Sequence, residues 1–504
     1  MMKEPHDPPR ARTGVHGLDD ILHGGLIADR LYLVDGNPGA GKTTLALQFL
    51  LEGLRRGEST MYVTLSETAD ELRDGAASHG WSLEGIRIIE LHGEEAGADA
   101  ADELTIFHPS EVELSNTTRK VLQAVERHSP KRMVFDSLSE LRLLAQNSLR
   151  YRRQILALKQ FFTGRACTTL FLDDRTADGS DLQLQSIAHG VISLEHQAPV
   201  YGRALRHLRV VKFRGSDFRT GYHHLQLLRG GLEVYPRLTA SDHGEDFEVT
   251  HLASGVTALD HLLGGGIETG TSTLIVGPAG SGKSTIALQY ALAAAQRGEH
   301  AVVFTFDESR QSLLQRLRGM GMQAHDGHRE VAICQVDPAE ISPGEFSHMV
   351  RNAVEAQRAR VVVIDSLNGY VNAMVDGHYL TAQLHELLAY AGNRGVSTFV
   401  IAAQSGMLAG QMGAPGDASY LADTVIYTRF FEHAGQLRKA ISVMKKRSGP
   451  HEHTIRELQF DGKGVRLSEP LRHFRGILTG VPVETGGTEP SASDEPRATA
   501  RWTR

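Results

Sequence analysis

Two octapeptides carry enough spacing to do chemistry on their own: GNPGAGKT at 36–43 and GPAGSGKS at 277–284. Both satisfy G-x-x-x-x-G-K-[S/T], each with an apolar run before it and a helical pattern after it. Glycines let successive backbone N–H groups turn inward around an oxyanion, and the helix N-terminus behind them adds partial positive charge. The candidate phosphate-holding residues are Gly36, Gly39, Ala40, Gly41, Lys42, Thr43 and Thr44 in the first loop. In the second they are Gly277, Gly280, Ser281, Gly282, Lys283, Ser284 and Thr285. Lys42 and Lys283 are expected on the terminal phosphates of ATP, and the Thr43 and Ser284 hydroxyls on Mg²⁺. One such octapeptide could be a Gly-rich turn; two at equivalent places of a repeat leave that reading little room.

Carboxylates stand where such a site needs them. Asp136 in RMVFDS and Asp365 in VVVIDS end apolar strands and are the expected carboxylates of the Mg²⁺ shell. The strand after each loop ends in LSET (65–68) or FDES (306–309). An acid there could take a proton from a water or hydroxyl attacking the γ-phosphate. The same acid would also suit the first turn of the following helix. Glu67 and Glu308 correspond by position, with Ser66 beside the first and Asp307 beside the second.

The elements that position these residues come from a repeat. The stretch TGVHGLDDILHGGL…RRGE (13–58) aligns without a gap on SGVTALDHLLGGGI…QRGE (254–299). Downstream, MYVTLSETADEL faces VVFTFDESRQSLL, RMVFDSLSEL faces VVVIDSLNGY, and RVVKFRGS faces SVMKKRSG. A period this long is a duplicated domain rather than a solenoid repeat. Short apolar strands alternate with segments of helical period in each half, which predicts an α/β fold with a mostly parallel sheet flanked by helices. The expected organisation is a tail at 1–12, a first domain at 13–240, a second at 241–483 and a tail at 484–504.

Composition narrows the classes. The 504-residue chain is 41% hydrophobic with a net charge of −7 and no long basic block, which argues against a nucleic-acid partner. Its 25 His are scattered without metal-ligand spacing, and two distant cysteines give neither a disulfide framework nor a zinc motif. The polar, Pro-rich start is no signal peptide, and no apolar run approaches the ~18 residues of a membrane span. A cytoplasmic protein is expected.

These motifs together resemble the KaiC family of circadian-clock ATPases and autokinases across residues 13–483, as two tandem RecA-like P-loop domains. The resemblance implies a two-tiered homo-hexamer with ATP and Mg²⁺ between neighbouring subunits. It implies an ATPase in the first half, with Glu67 retained and Ser66 replacing the other acid of the family's pair. In the second half it implies a serine/threonine autokinase, with Asp307 in the general-base position on a shorter arm and Glu308 beside it. The late basic clusters, Lys212 and Arg214, then Lys445 and Arg447 around Lys446, would reach a neighbour's γ-phosphate. Read without the family, KFR and KKR would be solvated strand edges.

The family's adjacent acceptors fall on Ser419 and Tyr420 in SYLADT, with Asp423 beyond. The tyrosine hydroxyl lies several ångströms farther from the backbone than a threonine's, so Ser419 is the acceptor expected. The resemblance leaves room for a KaiB-like partner on the first ring. Coupling to KaiA is not expected, because the chain after FRGILTGVPVE departs from the family's pattern. Two alternatives stay open: a KaiC-like signalling ATPase without a clock role, and a RecA/DnaB-like DNA motor, against which the acidic stretch 92–111 argues.

Overall fold

The computed structural model describes residues 8–91, 109–145, 147–175, 182–199, 202–239, 246–322, 331–372, 380–404, 419–462, 464–478 and 482–484. The 1–7 and 485–504 parts of the expected tails, residues 92–108 of the acidic stretch and the linker at 240–245 lie outside them. Two compact units emerge, one of Met1–Leu238 with Ala339–Met349, the other of Thr239–Pro338 with Val350–Arg504.

Among the described residues each unit carries a nine-stranded sheet. In the first, the loop-bearing strand Leu31–Gly36 lies between Thr168–Asp174 and Gly190–Gln197. Beyond Thr168–Asp174 come Arg132–Asp136, Thr60–Thr64 and Arg87–Glu90, all parallel. Beyond Gly190–Gln197 the chain continues as an antiparallel meander, Leu205–Phe213, His223–Leu228 and Gly231–Tyr235.

The second sheet repeats this order. Ser272–Gly277 lies between Ser397–Ala403 and Thr424–His433, with Ala359–Asp365, His300–Thr305 and Ala332–Gln335 on one side. The meander Gln436–Lys446, Arg456–Asp461 and Gly464–Pro470 lies on the other. These are two tandem RecA-like domains, each a mostly parallel sheet flanked by helices.

The continuous apolar runs of the central strands follow from burial on both faces. All six residues of Leu31–Gly36 and of Ser272–Gly277 are buried. Tyr32 and Val34 pack on one side with Phe49 and Leu50 of the Lys42–Arg55 helix, while Leu31 and Leu33 face Val121, Ile155 and Leu158 on the other. Every loop that ends a parallel strand therefore emerges at one edge of its sheet, where ligands bind in such folds.

Candidate nucleotide sites

In both halves the strand runs into a loop that closes on itself before the helix starts. The N–H of Ala40 bonds the Asn37 carbonyl, and that of Ser281 bonds the Pro278 carbonyl. Gly41 and Gly282 then turn the chain into the helix with φ of 106° and 101°, a left-handed conformation that glycine adopts without penalty. At Gly282 a Cβ would also sit 2.2 Å from the Phe460 ring, so no side chain fits. The first intrahelical bonds run from Leu45 to Gly41 and from Ile286 to Gly282. The N–H groups of Lys42, Thr43 and Thr44, and of Lys283, Ser284 and Thr285, are left without helical partners at the cradle.

In the first site Lys42 Nζ donates to the carbonyls of Gly36 (2.9 Å) and Asn37 (3.1 Å) and pairs with Asp174 at 2.7 Å. Asp174 ends the strand beside the loop strand, opposite Gly36 in register, and its N–H is held by Ser139 Oγ. Asp136 is buried, and the Tyr62 hydroxyl donates to its Oδ2 at 2.5 Å. Burial holds the Asp136 carboxyl above the usual range, while the Tyr62 bond, Lys42 and Thr43 pull it back. Glu67 is half-buried; burial, then Asp136 and Glu71, pushes its carboxyl up as well. A carboxyl moved in this direction is a stronger base than an ordinary glutamate.

The second site is wired differently. Lys283 is buried and donates to the Pro278 carbonyl at 2.7 Å, with Ala403 at the strand position corresponding to Asp174. Burial lowers its pKa against the pull of Asp365. The Ser281 hydroxyl also bonds the Pro278 carbonyl (2.8 Å) and meets Thr428 Oγ1 at 2.7 Å, so it pins the loop to the sheet. Asp365 is raised by burial, with the Ser284 hydroxyl and Arg316 acting against that shift. Asp307 accepts a 2.5 Å bond from Ser366 Oγ. Glu308 is engaged by Arg316 at 2.7 Å and by Ser312 Oγ at 3.0 Å.

Glu67 and Glu308 do not stand in the first helical turn. They precede the caps: Thr68 forms a capping box with Glu71, and Ser309 accepts from the Ser312 N–H. In both halves a threonine, Thr64 or Thr305, bonds the main chain of the glutamate and fixes the corner.

The basic clusters lie at the opposite edge of each sheet. Lys212 Nζ donates to the carbonyls of Gln185, Ser186 and Ala188, and Arg214 to that of Ser186. Lys445 donates to the carbonyls of Ser419 (3.1 Å) and Ala422 (2.7 Å), and Arg447 to that of Tyr420 (2.8 Å). Arg447 also pairs with Asp423, which accepts from the Ser272 N–H and hydroxyl. Lys446 is different: it is buried, ion-paired to Glu268 at 2.9 Å and bonded to the Leu263 carbonyl.

Ser419 is half-buried, whereas Tyr420 is 54% exposed and so is not a packing residue. Ser272 starts the strand that Gly277 ends. At about 3.3 Å per residue, residues 419–423 and the cations that hold them stand roughly 17 Å from their own phosphate loop.

The donors, hydroxyls and carboxylates around both loops fit a Mg²⁺–nucleotide. Tyr62, Asp174 and Arg316 belong to these sites but were not singled out by the motifs. Asp173–Asp174 ends an apolar strand as Asp136 does, which is a usable signal; Tyr62 and Arg316 left none. Among the described residues no cluster of His, Cys, Asp or Glu could hold a metal by itself, and no helix is long and apolar enough to cross a membrane.

A family model described as "ATPase: KaiC" matches residues 11–239 and 252–472. The circadian clock protein KaiC3 of Synechocystis sp. is 24% identical over 489 residues, covering 95% of this chain and 96% of its own. The circadian clock oscillator protein KaiC of Synechococcus elongatus is 24% identical over 485 residues, with 94% and 92% covered. That of Picosynechococcus sp. is 24% identical over 495 residues, with 96% and 94% covered.

Proposed function

The chain belongs to the KaiC family of ATPases, and from that premise we propose a division of labour: ATP hydrolysis in the 13–240 half, phosphoryl transfer to Ser419 in the 241–483 half. Mg²⁺, when bound, neutralises charge on the terminal phosphates; Thr43 with Asp136, and Ser284 with Asp365, are the residues that would hold it. The loop N–H groups with Lys42 or Lys283 orient the triphosphate. Glu67, raised by burial and by neighbouring acids, takes the proton of the attacking water in the first half. In the second half Asp307 takes the proton of the Ser419 hydroxyl.

The observation that carries this reading is the separation of Ser419 from Lys283. An acceptor roughly 17 Å from its own phosphate loop receives phosphate only from another copy's nucleotide. Lys445 and Arg447 grip the backbone of residues 419–423 directly, so acceptor and cations arrive at a neighbour's γ-phosphate as one piece. A cation delivered in this way stabilises the charge of phosphoryl transfer and couples activity to assembly. Lys212 and Arg214 hold the equivalent edge of the first half, which supports the same arrangement there. The assembly is a homo-hexamer of two tiers, with the first tier as the surface for a KaiB-like partner.

Incubation with Mg·ATP followed by mass spectrometry tests the acceptor. Phosphate is expected on Ser419 and not on Tyr420; phosphate exclusively on other residues would remove the segment from the mechanism.

A further inference from the structure

Two carboxylates stand at the corner of the second site, and they differ in what they are free to do. Glu308 has both oxygens occupied. Its Oε2 accepts from one Arg316 Nη at 2.7 Å, and its Oε1 accepts from Ser312 Oγ at 3.0 Å and more weakly from Arg316 Nε at 3.4 Å. A guanidinium stays charged throughout the accessible pH range, and a fork-like contact of this kind fixes the orientation of the carboxylate as well as its charge. The other Arg316 Nη donates to Thr285 Oγ1 at 3.3 Å, which ties the clamp to the residue after Ser284 in the phosphate loop. Among the described residues, Asp307 forms no ion pair and hydrogen-bonds a neutral partner, the Ser366 hydroxyl, at 2.5 Å.

Among the described residues the first half has no such clamp. Arg316 is the seventh residue of the ten-residue helix Arg310–Gly319, and the seventh residue of the matching helix Ala69–Ser78 is Gly75. A Cβ at Gly75 would meet nothing within 4 Å. Among the described residues no ion pair engages Glu67, and the charges that raise its carboxyl are those of Asp136 and Glu71.

We propose that Arg316 is a positioning residue that withdraws Glu308 from proton acceptance and so sets the fate of the γ-phosphoryl at the second site. With Glu308 clamped, Asp307 is the carboxylate that acts. It takes the proton of an acceptor hydroxyl, the hydroxyl oxygen bonds the γ-phosphorus, and the bond to the β,γ-bridging oxygen breaks with its electron pair leaving on ADP. With Glu308 released, the longer arm reaches a water instead, and the same displacement yields inorganic phosphate. The inference rests on the reading of the second half as a phosphoryl-transfer site.

The test uses the full-length chain carrying Glu67→Gln, which silences first-half hydrolysis, and follows phosphoprotein and released phosphate together. Arg316→Ala is expected to raise phosphate release relative to phosphoprotein by about tenfold, a fraction of what a working general base supplies. Arg316→Lys is expected to restore the parental ratio in part. Adding Glu308→Gln to Arg316→Ala should return the ratio to the parental value, which loss of a merely structural contact would not do. Titration with a fluorescent ATP analogue should give second-site affinity within about twofold of the parent for Arg316→Lys, reporting an intact loop.

An unchanged ratio in Arg316→Ala and Arg316→Lys overturns the proposal, as does a raised ratio that Glu308→Gln does not reverse. If the parent makes no phosphoprotein, the transfer reading fails by itself. The role of Arg316 is then read from phosphate release alone: it stands if Arg316→Ala accelerates release through Glu308, and falls otherwise.

Discussion

The two nucleotide sites share a backbone and differ in how their charges are spent. At the first, the loop lysine is paired to a strand-end carboxylate, the Asp136 carboxylate is held by a tyrosine, and the corner glutamate is pushed up by burial and by neighbouring acids. At the second, the lysine is buried with Ala403 at the position of Asp174, the loop is pinned by Ser281 and Thr428, and the corner glutamate is clamped by arginine. Duplication preserved what holds a triphosphate. Divergence changed the partners of the corner carboxylates, which in the proposed reading is the step that separates hydrolysis from transfer to a hydroxyl.

The comparison breaks most sharply at the two lysines. Lys42→Ala should abolish first-half hydrolysis or hexamer assembly, read by phosphate release and by sedimentation. Lys283→Ala should leave assembly largely intact and remove phosphate incorporation. A variant pair that behaves alike would erase the proposed division.

Next in size are the corner acids. Asp307→Asn should lower phosphate incorporation by about a hundredfold or more, the contribution of a lost general base. Glu67→Gln should lower first-half hydrolysis to a similar degree while leaving incorporation in place. Equal effects of either change on both activities would contradict the assignment.

A smaller effect is expected at Asp174. Its carboxylate competes with the nucleotide for Lys42, and a partly buried pair of this kind contributes about 1 kcal/mol. Asp174→Asn should therefore tighten first-site nucleotide binding about fivefold, measured by fluorescent-nucleotide titration in a Lys283→Ala background. The second site, with Ala403 at that position, offers no equivalent gain.

The smallest effect concerns pH. Burial, Asp136 and Glu71 raise the Glu67 carboxyl, so first-half hydrolysis should lose activity as pH falls through a value above the ordinary glutamate range. Glu71→Gln keeps the capping geometry at Thr68 and removes one like charge. The acid limb should then move to lower pH by a few tenths of a unit; movement to higher pH would contradict the electrostatics.

Much of this architecture was legible because it is written twice. The phosphate loops, the strand-end Asp136 and Asp365, and the alternation of strand and helix each appear at matching positions, and repetition separates a motif from a turn. What stayed hidden depends on contacts between residues far apart in the chain. The Tyr62 hydroxyl reaches Asp136 across 74 positions, and nothing local marks it as more than a core aromatic. Arg316 lies eight residues past Glu308 on a helix whose other arginines, Arg310 and Arg318, look no different in sequence. The cations show the converse: KFR and KKR were visible, but not that Lys445 and Arg447 hold the main chain at Ala422 and Tyr420 while Lys446 is a buried ion pair.

The central claim is that Ser419 takes its phosphate from another copy's nucleotide. Chains with Lys283→Ala, which keep Ser419, are mixed with chains carrying Ser419→Ala, which keep the loop, under conditions that allow subunits to exchange. Each is incubated with Mg·ATP alone and in the mixture, and phosphate is located by mass spectrometry on the Lys283→Ala chains. The account predicts phosphate on Ser419 of those chains in the mixture and none in either variant alone. Mixed assemblies that leave Ser419 bare, while the unmodified chain labels itself at that residue, would contradict it.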